Sequence, residues 1–334
     1  MKLAWLAMAA ALPAFAVVSG TVTNGTTGKP QANVKVTLFK VGGGMEALKT
    51  VQSDAEGKFN IDVVPKGPAL VQTEWEGVTY NTMVPPGTPG TGLAPTVFDV
   101  TKQAGTAKVS QHMVLIEPGE ALQVSESLFL SNDTKSAYSD PAAGTLRFYL
   151  PEAANGDVQV TINEPQALIP LQRPAEKTST PNVYKVNYPL KPGETRVDIT
   201  YRLPKSDTFA SRILHKEGAT RIVVPKGVTL AAQSITSVGT EPRTQATIYD
   251  LKAADYKVTI SGTGSLRPAQ DAAAASGGSE DSDDSGGATI ARIQSPVNEK
   301  RWVIIPLGLG ILMLGFVLLY RSSVVALEKR AARK

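Results

Sequence analysis

Between residue 17 and about residue 261, hydrophobic and polar positions alternate in short runs, and no stretch keeps a helical period. Val34, Val36 and Leu38 alternate with Lys35, Thr37 and Phe39, which predicts a half-buried strand. Phe59, Ile61 and Val63 line one face of another. Turn chemistry separates the runs: Asn24-Gly25 through Gly28-Lys29-Pro30, Asp54-Ala55-Glu56-Gly57, and Gly77 between Ala69–Trp75 and Val78–Val84. The expectation is a small antiparallel sandwich. A second β region is predicted from runs at 111–117, 122–131, 145–150, 158–162, 183–188, 196–203, 209–215, 220–224, 245–251 and 256–261. Pro118-Gly119, Asn155-Gly156-Asp157, Pro192-Gly193 and Lys226-Gly227 mark its turns. These strands fit one large sandwich of immunoglobulin-like type, or two small ones divided near Pro204-Lys205-Ser206-Asp207.

The pattern then changes character twice. From residue 263 to about 300 the chain is rich in Gly, Ser, Ala and Asp, with Asp281-Ser282-Asp283-Asp284 at its centre, and reads as a flexible acidic linker. Residues 302–320, WVIIPLGLGILMLGFVLLY, carry no charge. As a helix this run spans roughly 28 Å, close to the thickness of a bilayer core. Trp302 and Tyr320 sit at its ends, Lys300 and Arg301 precede it and Arg321 follows, the arrangement expected at membrane interfaces. One transmembrane helix is therefore expected, with a short basic tail at 321–334.

Residues 1–16 have the form of a secretory leader: Lys2, an apolar stretch, then Ala14-Phe15-Ala16 as a cleavage signal. Leader and tail together orient the chain, with the β domains exported and the C-terminus cytoplasmic. The chain of 334 residues has no cysteine, so exported domains must rely on their cores, and thiol nucleophiles and Cys-based metal sites are excluded. That favours a bacterial envelope protein, periplasmic or at the cell surface, and makes the sequons Asn24-Gly25-Thr26 and Asn132-Asp133-Thr134 chance matches. The net charge of +4 suggests a polyanion partner only until it is located. Arg321, Lys329, Arg330, Arg333 and Lys334 against Glu328, with Lys2 of the leader, account for it, leaving a nearly neutral exported part. No nucleic-acid partner is expected.

Candidate chemistry is sparse. A catalytic zinc needs about three protein ligands, and the only histidines, His112 and His215, form neither an H-x-x-E nor an H-E-x-x-H arrangement. Each is expected to be a partly exposed structural residue on a strand. Gly262-Thr263-Gly264-Ser265 is not a nucleophile elbow, and the run from Gly44 to Lys49-Thr50 lacks the glycine that a phosphate loop places before its lysine. Asp281-Ser282-Asp283-Asp284-Ser285-Gly286 begins like an EF-hand loop but has Arg292 where the bidentate Glu belongs. No catalytic residue, metal or cofactor is expected.

One resemblance is carried by residues. Ser19-Gly20-Thr21-Val22, then Thr27-Gly28-Lys29-Pro30 with Ala32-Asn33-Val34-Lys35-Val36, then Ser53-Asp54-Ala55-Glu56-Gly57-Lys58-Phe59, resembles the carboxypeptidase regulatory-like domain. The resemblance covers about 17–85 and departs after Trp75, where Val84-Pro85-Pro86-Gly87-Thr88-Pro89-Gly90 begins an extended loop. It implies a transthyretin-like (prealbumin-like) β-sandwich and a non-catalytic module, some members of which bind carbohydrate. Trp75 is the one tryptophan between leader and membrane segment, and Tyr80 follows just beyond Gly77; these are the candidate carbohydrate-binding residues, although Trp75 is in phase with Val71 and so expected to face the core.

The sequence thus predicts a mainly β chain: a leader at 1–16, tandem antiparallel sandwiches at 17–110 and 111–262, a linker at 263–300, a membrane helix at 302–320 and a tail at 321–334. Its expected role is that of a membrane-anchored envelope protein displaying non-catalytic modules to a protein or envelope polymer. The alternatives are a carbohydrate-binding surface protein using Trp75 and Tyr80, and an accessory subunit of a membrane complex.

Overall fold

The computed structural model describes residues 18–266 apart from 43, 89 and 165–169. The leader, most of the linker, and the expected membrane segment with Lys300, Arg301, Trp302, Tyr320 and Arg321 lie outside the described residues. Among those described there is no α-helix, and no helix long and apolar enough to cross a membrane.

The first sandwich sets a four-stranded antiparallel sheet against shorter pairs. Its order is Met45–Gln52, Lys35–Val41, Ala69–Trp75 and Val78–Val84. Val18–Thr21 pairs with Lys58–Ile61 as the second layer. The alternation read in the sequence determines what is buried: Val36, Leu38, Phe59, Ile61, Val71 and Val78 form the core with Val22 and Val34. Burying each such aliphatic side chain contributes about 1.5–3 kcal/mol relative to leaving it in water. The Ser19-Gly20-Thr21 motif has a steric reason. A Cβ built on Gly20 would stand 2.0 Å from the Leu93 carbonyl oxygen, because residues 90–93 run tightly alongside this strand. The backbone bonds Thr21 N–H to Leu93 O and Leu93 N–H to Ser19 O close that approach.

Ala69–Trp75 and Val78–Val84 are joined by two residues, Glu76 at φ 47° and Gly77 at φ 78°. Positive φ at both central positions is the type I′ geometry whose twist matches a hairpin. It fixes Trp75 opposite Val78 and therefore the register of the whole pair.

The second sandwich is built on one eight-stranded sheet. Its spatial order is Leu171–Arg173, Val158–Asn163, Gly193–Leu203, Leu122–Asn132, Lys108–Pro118, Ala219–Val224, Thr247–Leu251 and Ile235–Thr240. Neighbours are antiparallel except Lys108–Pro118 with Ala219–Val224, which run parallel. Two three-stranded sheets cover it, one of Leu146–Tyr149, Val183–Val186 and Ala175–Lys177, the other of Thr208–Arg212, Asp255–Ser261 and Thr229–Ala231. A single hydrophobic cluster runs through all of it, from Val109 past Leu146, Leu203 and Phe209 to Ile260. Pro204-Lys205-Ser206-Asp207 is a loop on this body and does not divide its core.

Two stretches differ from the sequence reading. The strand expected at 209–215 ends at Arg212, leaving His215 in the following loop. The chain also stays on the sandwich past 263. Gly264 N–H donates to Pro118 O at 3.1 Å, and the Glu117 carboxylate accepts from Ser265 Oγ at 2.8 Å and from Leu266 N–H at 2.7 Å. Glu117 is 8% exposed, so this carboxylate ties down the exit of the chain from inside the fold.

Candidate functional site

Trp75 and Tyr80 lie at one end of the first sandwich, on either side of the Glu76-Gly77 turn, where the second sandwich meets it. Trp75 is half-buried, and its indole N–H donates to Asp99 Oδ1 at 3.2 Å. Asn24 Nδ2 donates to the same oxygen at 2.6 Å. Asp99 N–H donates to Thr26 Oγ1 at 2.9 Å, and that hydroxyl donates to the Lys135 carbonyl of the second β region. Beside it Val100–Thr101 and Ala137–Tyr138 pair as parallel strands. Ala137 is fully buried in the first sandwich's core, although it belongs to the second region by sequence.

Tyr80 is 4% exposed. Its hydroxyl accepts from Phe98 N–H and donates to Phe98 O, both at 3.2 Å. Burial pushes this phenol well above its ordinary pKa. The Lys191 ammonium lies 5.0 Å from the centre of the ring, a cation–π contact. Lys191 also reaches Glu164 Oε1 at 2.9 Å, with the two side chains 13% and 6% exposed. Glu164 faces the Tyr188 hydroxyl, which is likewise pushed up by burial and by that carboxylate, and Arg173 covers the Tyr188 ring at 5.4 Å. The result is a chain of contacts from Tyr80 through Lys191 and Glu164 to Tyr188.

Both aromatic candidates are therefore committed to the junction. Stacking on a sugar requires an open ring face; Tyr80 has none, and Trp75 has its polar edge tied to Asp99 and its ring against the core. Lys191, Glu164 and Asp99 gave no sequence signal, because their partners are brought together only by the fold.

The histidines also differ from expectation. His112 is 4% exposed and part of a polar cluster between the sheets of the second sandwich. Its Nε2 is 2.8 Å from Glu126 Oε2, and Tyr201 OH donates to Glu126 Oε1 at 2.6 Å. Both partners are diagonal neighbours of Glu126 across the ladder: His112 stands opposite Leu128, and Tyr201 opposite Val124. Burial, with the nearby carboxylate next in order, drives the Tyr201 and Tyr256 phenols well above their usual pKa. His112 Nδ1 has no hydrogen-bond partner among the described residues, and the Tyr256 hydroxyl approaches Ser211 without bonding geometry. His215, mostly buried, binds the Arg147 carbonyl through Nε2 at 2.7 Å, and burial pulls its pKa below the usual histidine value. The cluster is closed to solvent, and among the described residues no three His, Asp or Glu side chains gather to hold a metal ion.

The sequon asparagines are interior. Asn24 is 1% exposed, and Asn132 is 2% exposed with its amide donating to the carbonyls of Ser136 and Leu190, so neither is an acceptor in the folded protein. The extended loop after Val84 borders an open cleft of about 470 Å³, with Val18, Val64 and Pro65 on its other side.

Residues 17–101 match the family model of the carboxypeptidase regulatory-like domain. No curated protein matches the chain. Among solved structures, the M1 zinc metallopeptidase from Deinococcus radiodurans is similar at 15% identity and a TM-score of 0.27, over 48% of this chain and 43% of that one. A mutant of that enzyme bound to a Tyr-Ser-Ala substrate is similar at 14% identity and a TM-score of 0.27, over 47% and 43%. The chain thus spans less than half the length of these structures.

Proposed function

Taking residues 17–101 as a carboxypeptidase regulatory-like domain, we propose that the chain is a membrane-anchored envelope protein that displays two joined, non-catalytic β-sandwiches for binding or assembly. The observation that carries this reading is the junction. Tyr80 is buried where the sandwiches meet, the Lys191 and Glu164 side chains are largely covered there, and Ala137 fills the first core from the second region. Aromatic and charged side chains that a lectin or a hydrolase would hold open to substrate are used here to join two modules into one arm.

The anchoring part of the proposal rests on residues 302–320 and their flanking Lys300, Arg301 and Arg321. The partners proposed are the lipid bilayer and a protein or envelope polymer, with the β domains exported and the tail cytoplasmic. The test is fractionation of the full chain in a bacterial host, with protease added from the exported side. Retention in carbonate-washed membranes and digestion of the β domains down to a protected C-terminal fragment are expected. Release by carbonate, or protection of the β domains in intact cells and spheroplasts, refutes the anchored topology. Hydrolytic activity that co-purifies with the chain and is lost in His112→Ala or His215→Ala refutes the non-catalytic reading.

A further inference from the structure

The free edge of the Val78–Val84 strand has no counterpart elsewhere in the described fold. A two-residue hairpin makes Trp75 and Val78 a hydrogen-bonded pair, and the pairing alternates from there. Val78, Tyr80, Thr82 and Val84 therefore spend their backbone groups on the neighbouring strand. Thr79, Asn81 and Met83 each turn one N–H and one C=O toward the open edge, and no backbone partner meets them among the described residues.

Exposed edges are ordinarily protected by charge, by bulges, by shortness or by cover. The other described edge strands of four residues or more show these devices. Met45–Gln52 carries Glu46 and Lys49, Lys58–Ile61 carries Lys58, Leu146–Tyr149 carries Arg147 and Thr208–Arg212 carries Arg212. Ile235–Thr240 is interrupted by a bulge between Ser237 and Gly239, and the far side of Val18–Thr21 is taken by residues 90–93. Val78–Val84 has no charge and no bulge, and among the described residues no strand pairs with its outer side.

We propose that this edge is a homotypic docking surface, on which a second copy of the chain lays its own Val78–Val84 strand antiparallel about a two-fold axis at Asn81. The outward groups fit this occupant by themselves. With Asn81 opposite Asn81 of the second copy, Thr79 falls opposite Met83 and Met83 opposite Thr79, so each outward N–H meets an outward C=O. No like charges oppose one another, as they would on the Met45–Gln52 edge. On the outer face an apolar row, Phe39, Leu70 and Met83, ends at the free edge, with Leu70 already 3% exposed. In the pair that row continues onto the Thr79 methyl of the second copy. The contact is isologous and closes at two copies. It requires nothing of the membrane anchoring proposed above.

The test exploits the absence of cysteine from the chain. In the full-length protein, Asn81→Cys should form a disulfide-linked dimer under mild oxidation, because directly opposed residues of an antiparallel pair stand within disulfide reach, about 5.5 Å between Cα atoms. Lys49→Cys, on the opposite edge of the same sheet, is the collision control and should give a band several-fold weaker. Asn81→Pro removes an outward N–H that the hairpin does not use, together with the 3.1 Å bond from Gln72 Nε2 to Asn81 Oδ1; it should keep the β circular-dichroism spectrum and convert the dimer to a monomer in light scattering, whereas Asn81→Ala, which loses the same side-chain bond but keeps the N–H, should stay dimeric. A dimer that survives Asn81→Pro, equal cross-linking at positions 49 and 81, or a wild-type chain that is monomeric throughout overturns the proposal. The last outcome would leave the edge to a strand from a different protein.

Discussion

Lys191 offers the sharpest measurement of how the two sandwiches are held together. Its ammonium is 2.9 Å from Glu164 Oε1 and 5.0 Å from the Tyr80 ring centre. At an effective dielectric of about 20, the Coulomb attraction at that separation is about 6 kcal/mol, and desolvation of two nearly buried groups offsets most of it. Removing one partner is the costly change, since it strands the other charge in a site 6% exposed. Lys191→Met, which keeps an unbranched side chain one atom shorter, should therefore cost about 3–5 kcal/mol, including about 1–2 kcal/mol of cation–π contact. Replacing Glu164 as well with Met should recover much of that loss, because an apolar pair of similar volume needs no desolvation. Urea unfolding of the three variants, followed by Trp75 emission in a Trp5→Phe, Trp302→Phe background, closes the double-mutant cycle. Trp75 is a suitable reporter because its indole binds Asp99 in the same junction. A single-variant loss below about 1 kcal/mol, or a double variant no more stable than Lys191→Met, would refute a buried, desolvated pair.

Burial lowers the folded pKa of His215 below its unfolded value; the stability it contributes is full above about 6.5 and lost as pH falls through the folded value. Thermal melts from pH 7.5 to 5 should steepen downward, and His215→Gln should flatten that slope. Tyr201→Phe removes a 2.6 Å hydrogen bond to a buried carboxylate and should cost about 1.5–3 kcal/mol in chemical denaturation, with loss under 0.5 kcal/mol contradicting the network. Gly20→Ala would drive a methyl into the Leu93 carbonyl and should lower the melting temperature by a loss of at least about 2 kcal/mol, whereas an unchanged melt would mean that residues 90–93 do not hold their position.

Alternation explains why so much of the β framework was legible. Leu122–Asn132 buries every second residue without a break, and its register with Gly193–Leu203 runs the full length of both. The turns marked by Asp54-Ala55-Glu56-Gly57 and by Gly77 were equally plain, since Gly57 and Gly77 take positive φ angles that few other residue types accept. Leu171–Arg173, Ala175–Lys177 and Ile235–Thr240 were missed because they are short, largely exposed strands at or near sheet edges that carry little apolar pattern. The buried acid was in fact written in the sequence. Glu126 stands in phase with Val124's inward neighbours Leu122, Leu128 and Leu130, and His112 with Val114 and Ile116, so polar residues at inward positions marked an interior network. Nothing local could have linked Tyr80 to Lys191, or Trp75 to Asp99. Those contacts depend on how two sheets meet.

Ala137 carries a consequence for how the protein is made. The family match ends at residue 101, yet the core of that module is completed by a side chain 36 positions later, carried on a strand pair that residues 100 and 101 form with 137 and 138. A fragment ending at 101 or 110 leaves a hole in its interior and Val100–Thr101 unpaired. As the chain emerges amino-terminus first, its leading module stays unfinished until residue 138 has appeared, so the order of synthesis and the order of completion differ. The smallest piece that can close the first core extends into the second sandwich.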